Sequence, residues 1–244
     1  MRRSILFILI ALIEYGCNDP NAPECLKTSG NIISFSSELD TFSSIEVNNE
    51  LIVTLKTGPE RSITIIAGEN LLPSIQFTII DSELILSNEN SCNWVRDYNF
   101  PEVVITTPEL IQIRQNGGGL IKSDEALTFD DLMLISEKRT GDFNLEVSNL
   151  SVRIISNDLS NYRLTGATDK LTVGFFSGDG RFNGAELTAK EVEVFQRGTN
   201  DILVHATERL SGRIISNGNV IYTKTIPPVV DVSLEGSGKL IFRE

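Results

Sequence analysis

The chain reads as an all-β protein, and more specifically as a parallel β-helix with about 20 residues per coil. Three observations lead there. Windows with apolar residues at three-and-four spacing are scarce, so an α-helical core is not encoded. Short alternating runs are common, among them Ile63-Thr64-Ile65, Leu84-Ile85-Leu86, Val103-Val104-Ile105, Leu171-Thr172-Val173 and Val192-Glu193-Val194. Small polar turns also recur at a nearly constant interval through the second half of the chain.

Those turns are Gly117-Gly118-Gly119, Arg139-Thr140-Gly141, Asp158-Leu159-Ser160, Gly178-Asp179-Gly180, Gly198-Thr199-Asn200, Ser216-Asn217-Gly218 and Gly236-Ser237-Gly238. Their third members are separated by 22, 19, 20, 20, 18 and 20 residues. Each turn is followed within two positions by an apolar or aromatic residue: Leu120, Phe143, Tyr162, Phe182, Ile202, Val220 and Leu240. One such unit cannot bury its inner face alone, whereas stacked units share a continuous core. Stacking at the inter-strand distance of about 4.8 Å makes the repeat region roughly 30 Å long. An antiparallel sandwich or barrel with a turn every ten residues is the competing architecture.

In chain order, the first element is an export signal. Met1-Arg2-Arg3 is basic and residues 5–13 are apolar, a run too short to span a bilayer as a finished helix. Gly16-Cys17 closes residues 1–16 in a layout that resembles a bacterial lipoprotein signal, whose cleavage leaves Cys17 as a lipid-bearing N-terminus. Glu14 and Tyr15 depart from the apolar and small residues usual at those places. Residues 17–29 form the lipidated N-terminus and tether, with Pro20 and Pro23 inside a stretch lacking any apolar run.

With Cys17 carrying lipid, Cys25 and Cys92 remain as an even pair in an oxidising envelope, a candidate disulfide. Such a bridge closes 68 residues and would remove about 4 kcal/mol of unfolded-state entropy. Two free thiols are the alternative. Residues 30–244 then read as one domain, less regular over 30–100 and regularly repeated over 101–244.

The glycine-rich turns at 117–119, 178–180 and 236–238 resemble those of the head-GIN domain family of putative auto-transporter adhesins. The preceding segments Phe42, Ile45-Glu46-Val47, Val53-Thr54-Leu55-Lys56-Thr57-Gly58 and Ala67-Gly68-Glu69-Asn70-Leu71-Leu72-Pro73 carry the same resemblance, as do residues 81–86. It covers roughly residues 30–244, with degenerate turns at 158–160 and 198–200. The resemblance implies a right-handed, pectin-lyase-like β-helix, an exported lipoprotein, and an adhesion role without an established catalytic site.

Composition narrows the chemistry. The net charge is −12, or −13 after signal removal (19 basic against 32 acidic residues), which disfavours nucleic acid as a partner. One histidine and three cysteines leave no material for a histidine-rich or cysteine-rich metal site. No metal, cofactor or catalytic residue is expected. No nucleophile elbow, His-Glu-x-x-His or Walker loop occurs. The segment Gly178-Asp179-Gly180-Arg181-Phe182-Asn183-Gly184 spaces its last glycine one residue too far for a dinucleotide loop, and reads as a solenoid corner. His205 reads as an ordinary strand or surface histidine.

The carboxylates Asp130, Asp131, Glu137 and Asp142 could be assembled into a calcium-dependent polysaccharide lyase site, but solvated edges and turns explain them equally well. The candidate ligand contacts are Trp94, Arg96 and Tyr98, because exposed aromatics beside a charged residue stack on sugars or anchor proteins. A hydrophobic plug over one end of the solenoid would use the same residues. The expected function is a lipid-anchored envelope protein with a non-catalytic adhesion or ligand-binding role. Its partners would be the membrane, through the lipid, and a glycan or protein. A polysaccharide-processing enzyme and a purely structural envelope lipoprotein are the alternatives. Asn18, in place of an inner-membrane-retaining aspartate, points to the outer membrane, with the side it faces left open.

Overall fold

A computed structural model describes residues 28–90, 100–137 and 140–244. The strands are β1 (Ile32–Glu38), β2 (Ser44–Asn48), β3 (Ile52–Thr57), β4 (Ser62–Gly68), β5 (Ile75–Ile80), β6 (Glu83–Asn88), β7 (Glu102–Thr107), β8 (Gln112–Gln115) and β9 (Leu120–Ser123). They continue as β10 (Asp131–Ser136), β11 (Asp142–Ser156), β12 (Asn161–Phe175), β13 (Arg181–Gln196), β14 (Ile202–Ile214), β15 (Val220–Thr223), β16 (Val229–Leu234) and β17 (Leu240–Arg243). They join one sheet wound into a β-solenoid of about six turns, with roughly 20 residues per turn. No helix among the described residues is long and apolar enough to cross a membrane.

Each coil runs through three faces. The first carries β6, β2, β8, β10, the last parts of β11 to β14, and β16, all in parallel register. The polar turns of the repeat lead from it to the second face. That face carries β7, β3, β9, the opening parts of β11 to β14, then β15 and β17. The middle portions of β11 to β14 make the third face, joined by the bridge from Leu127 to Val147. Long strands bend between faces: β11 and β12 keep one register throughout, whereas the registers of β12 with β13 and of β13 with β14 shift at the bends. Gly166 sits at one such bend with φ +99°, where a Cβ would lie 2.1 Å from the Val147 carbonyl oxygen.

The core is built from columns of equivalent residues. On the first face, Leu84, Ile45, Ile113, Leu134, Ile154, Val173 and Val194 stack in register, all at most 1% exposed. On the second face the column is Val103, Val53, Ile121, Phe143, Tyr162, Phe182, Ile202, Val220 and Leu240. Phe143 and Tyr162 stack at 4.9 Å and 5°, about the rise of one coil. Ile121 replaces Leu120, which the turn spacing suggested; Leu120 pairs with Asp142 and faces outward. With Ile121 in place, every column residue lies two positions beyond its turn.

Buried polar side chains hold the corners from inside. Gln115 donates from Nε2 to the Gly119 carbonyl at 3.1 Å, and Gln196 donates likewise to Asn200 at 2.6 Å. Between them, Ser136 and Ser160 bond each other at 2.7 Å, and the Gly141 amide donates to Ser160 Oγ. Each replaces water that a buried turn would otherwise lose. Burial also pushes the Tyr162 phenol well above the usual tyrosine range, so it stays uncharged in the core.

Chain order and spatial order part company near the N-terminus. β2 lies between β6 and β8, and β3 between β7 and β9. The coil made first is therefore second in the stack, beneath the coil of β6 and β7. Close backbone approach makes this possible: a Cβ on Gly117 would lie 1.7 Å from the Asn49 carbonyl oxygen. The excursion between β3 and β6 adds strands that run against the stack. β4 pairs antiparallel with β7 and β1, and β5 pairs antiparallel with β6.

Candidate ligand groove

The outer surface of the second face carries two polar rows, one on each side of the buried aromatic column. The first row runs Leu120, Asp142, Asn161, Arg181 and continues through Asp201, Asn219 and Lys239, the residues preceding the paired Ile202, Val220 and Leu240. The second runs Lys122, Asn144, Arg163, Asn183, Leu203, Ile221 and Ile241. Strand alternation turns both rows away from the column between them, although Ile221 near the end of the second row is covered and 2% exposed. The middle of the first row, from Leu120 to Asp201, and of the second, from Asn144 to Leu203, line a groove of about 580 Å³ together with Phe143, Tyr162 and Phe182 and the corner residues Thr199 and Asn200.

Hydrogen bonds running along the solenoid axis hold the acidic members. Asp142 Oδ1 accepts from the Asn161 amide side chain at 2.8 Å and backbone at 3.3 Å. Asp201 Oδ1 repeats the arrangement with Asn219, at 2.9 and 3.3 Å. Asn219 Oδ1 in turn accepts from the Lys239 backbone at 2.9 Å. At the corner, Asn200 donates to the Asp179 carbonyl at 2.6 Å and Thr199 donates to the Asp179 carboxylate.

The two arginines are treated differently. Arg163 and Arg181 are exposed, and neither forms an ion pair among the described residues, in contrast to Arg61, Arg114, Arg209 and Arg213. Since Asn161 pairs with Arg181 and Arg163 pairs with Asn183, the arginines are diagonal neighbours, about 7–8 Å apart at the backbone.

The residues singled out from sequence fare unevenly. Trp94, Arg96 and Tyr98, the Cys25–Cys92 pair and the lipidation site Cys17 lie outside the described residues. His205 is 8% exposed, between the hydroxyls of Thr188 at 3.4 Å and Thr225 at 3.3 Å. Burial lowers its pKa, helped by the positive charge of Lys224. The proposed lyase carboxylates do not converge. Asp131 opens β10 on the first face and bonds Ser151, whereas Asp142 opens β11 on the second. No group of three or more His, Cys, Asp or Glu side chains among the described residues could hold a metal ion. The 178–184 segment is a corner, with Gly178 at φ +85° packed on Asp158 of the preceding coil.

The groove itself was missed, although the repeat encodes the row along one side of it. Aligning the coils on the inward column puts Asp, Asn, Arg, Asp, Asn and Lys one place before it, at 142, 161, 181, 201, 219 and 239. Reading the positions flanking the column would have exposed the row.

Fold and groove together define a β-solenoid protein with a lateral polar cleft. The family described as "Putative auto-transporter adhesin, head GIN domain" matches residues 41–225, and the chain belongs to it. A putative adhesin from Bacteroides fragilis has the same fold, with a TM-score of 0.76 at 23% identity over 88% of this chain and 98% of that one. A putative adhesin from Parabacteroides distasonis aligns with a TM-score of 0.66 at 16% identity, again over 88% and 98%. A protein from the same species named a putative lipid binding protein gives 0.62 at 14% identity over the same shares. No curated protein matches the chain.

Proposed function

We propose that this is an exported, lipid-anchored cell-envelope protein that adheres by binding a ligand in the groove, without catalysing a reaction on it. The observation that carries the reading is the groove itself. Two exposed guanidiniums that form no ion pair among the described residues stand one in each row, beside the amides of Asn144, Asn161 and Asn183. Membership of an adhesin family supports the same conclusion. The separation of Asp131 and Asp142 onto different faces weighs against a lyase.

Two measurements test this. Protease treatment of intact cells should remove the domain while sparing a periplasmic control, and Cys17→Ala should release the protein from the membrane fraction. Survival of the domain until the outer membrane is breached would overturn surface adhesion. The full chain, purified in detergent, should bind a panel of immobilised glycans saturably, and the Arg163→Gln/Arg181→Gln double variant should abolish that binding. A signal indifferent both to the double variant and to Asn183→Ala would rule the groove out as the site.

A further inference from the structure

We propose that the groove takes a saccharide bearing a single carboxylate, with Arg163 and Arg181 receiving the carboxylate and Asn144, Asn161 and Asn183 receiving neighbouring hydroxyls. The assignment rests on the groove being the ligand site and adds the chemistry of the ligand.

The arginines supply the first part of the case. A guanidinium presents a planar fork of N–H donors that matches a carboxylate, and two such groups on diagonal positions can converge on one anion. Left empty, two neighbouring cations repel each other. The groove carboxylates Asp142 and Asp201 are held along the axis by Asn161 and Asn219, and Glu186, whose carboxylate feels the charge of Arg163, is bonded to Lys224. The groove thus keeps its carboxylates occupied and its guanidiniums available.

The same carboxylates limit the charge of the ligand. A dianionic phosphate or a long polyanion would meet Asp142, Asp201 and the net charge of −12. With Arg163 and Arg181 against Asp142 and Asp201 the empty groove is neutral, so one carboxylate brings it only to −1 whereas a dianion brings it to −2.

The amides supply the second part. Asn144 and Asn183 flank Arg163 in its row, and Asn161 adjoins Arg181. A side-chain amide offers donors and an acceptor together, as a sugar hydroxyl does. Leu120 and Leu203 add apolar surface at the two ends, suited to the C–H face of a pyranose ring. At about 580 Å³ the groove has the size of a small-ligand site rather than of a protein epitope.

The test titrates the full chain in detergent with the methyl glycosides of glucuronic, galacturonic and N-acetylneuraminic acid, against methyl glucoside and methyl galactoside. At least one acidic glycoside should bind ten-fold or more tighter than its neutral counterparts. Arg163→Gln and Arg181→Gln should each weaken it five-fold or more and leave the neutral sugars unchanged, whereas Asn183→Ala should weaken both classes. Both arginines are exposed, so an unchanged circular dichroism spectrum and melting temperature will accompany the loss. Equal affinity for acidic and neutral glycosides, with loss of both in Asn183→Ala, would overturn the carboxylate assignment and leave the groove as a glycan site. Inorganic phosphate or an acidic peptide competing as well as the acidic sugar would replace it with a general anion site. No saturable binding of any glycoside would overturn it outright; the groove as an adhesion site then stands or falls on the immobilised panel.

Discussion

The two ends of the solenoid are built differently. At the N-terminal end, the inward residues of the outermost coil are sealed: Leu84, Leu86, Val103 and Ile105 are all 0% exposed. Antiparallel β4 and β5 lie along that coil and bring Ile63, Ile65 and Ile75 against it, with Leu71 from the intervening turn. At the other end, β16 pairs only with β14 and β17 only with β15 among the described strands. Val230 and Leu234, in register with the buried Leu210 and Ile214, are 42% and 57% exposed. The comparison teaches that the repeat makes the core but does not finish it. A coil buries its inner face only if something lies on both sides. At the first end, residues that depart from the repeat supply that cover.

The largest expected effect separates the middle of the stack from its open end. Tyr162→Ala removes a buried ring stacked on Phe143 and tilted against Phe175 and should cost about 3–5 kcal/mol in urea unfolding. Phe242→Ala removes a half-buried ring whose aromatic neighbour is Tyr222 and should cost less, about 1 kcal/mol. Equal losses would break the comparison.

A matched pair sharpens it. Val103→Thr buries a hydroxyl in the sealed coil and should destabilise by about 1–3 kcal/mol, while Val230→Thr at the open end should be near neutral. Hydrogen exchange should then grade along the axis, with amides of β11 to β13 the slowest and those of β16 and β17 exchanging first.

Acid should act more weakly, and at the C-terminal half. The folded-state pKa of His205 is below its ordinary value of 6.5, so the unfolded chain binds the proton first. Its contribution is intact above about pH 6.5 and declines as pH falls below that. His205→Gln should flatten the stability profile between about pH 7 and pH 5; an unchanged slope would assign it to other groups. Glu186 and Glu235, lowered by Lys224 and Arg213, lose their contributions at more acid pH, progressively as pH falls from the ordinary carboxylate value of 4.5. The smallest effect expected is from Arg213→Gln, whose exposed pair with Glu235 should leave the melting temperature unchanged.

Much of this architecture was legible because it is written locally. The 20-residue period, the corner glycines and all but one member of the repeat's aromatic and aliphatic column could be read from residues near one another in the chain. Leu120 was the exception. It and Ile121 are both apolar, and only pairing with Asp142 or Phe143 shows which points inward.

The amino-acid sequence by itself determined the solenoid, because a side-chain period of two and a coil period of twenty follow from the order of the residues alone. Only the tertiary structure decided three other things: the insertion of the β2–β3 coil beneath that of β6 and β7, the antiparallel seal at one end, and the groove. Each depends on which coil lies beside which. Asn49 and Gly117, or Arg163 and Arg181, become neighbours through stacking at the strand spacing. Nothing in their own vicinity along the chain specifies that contact.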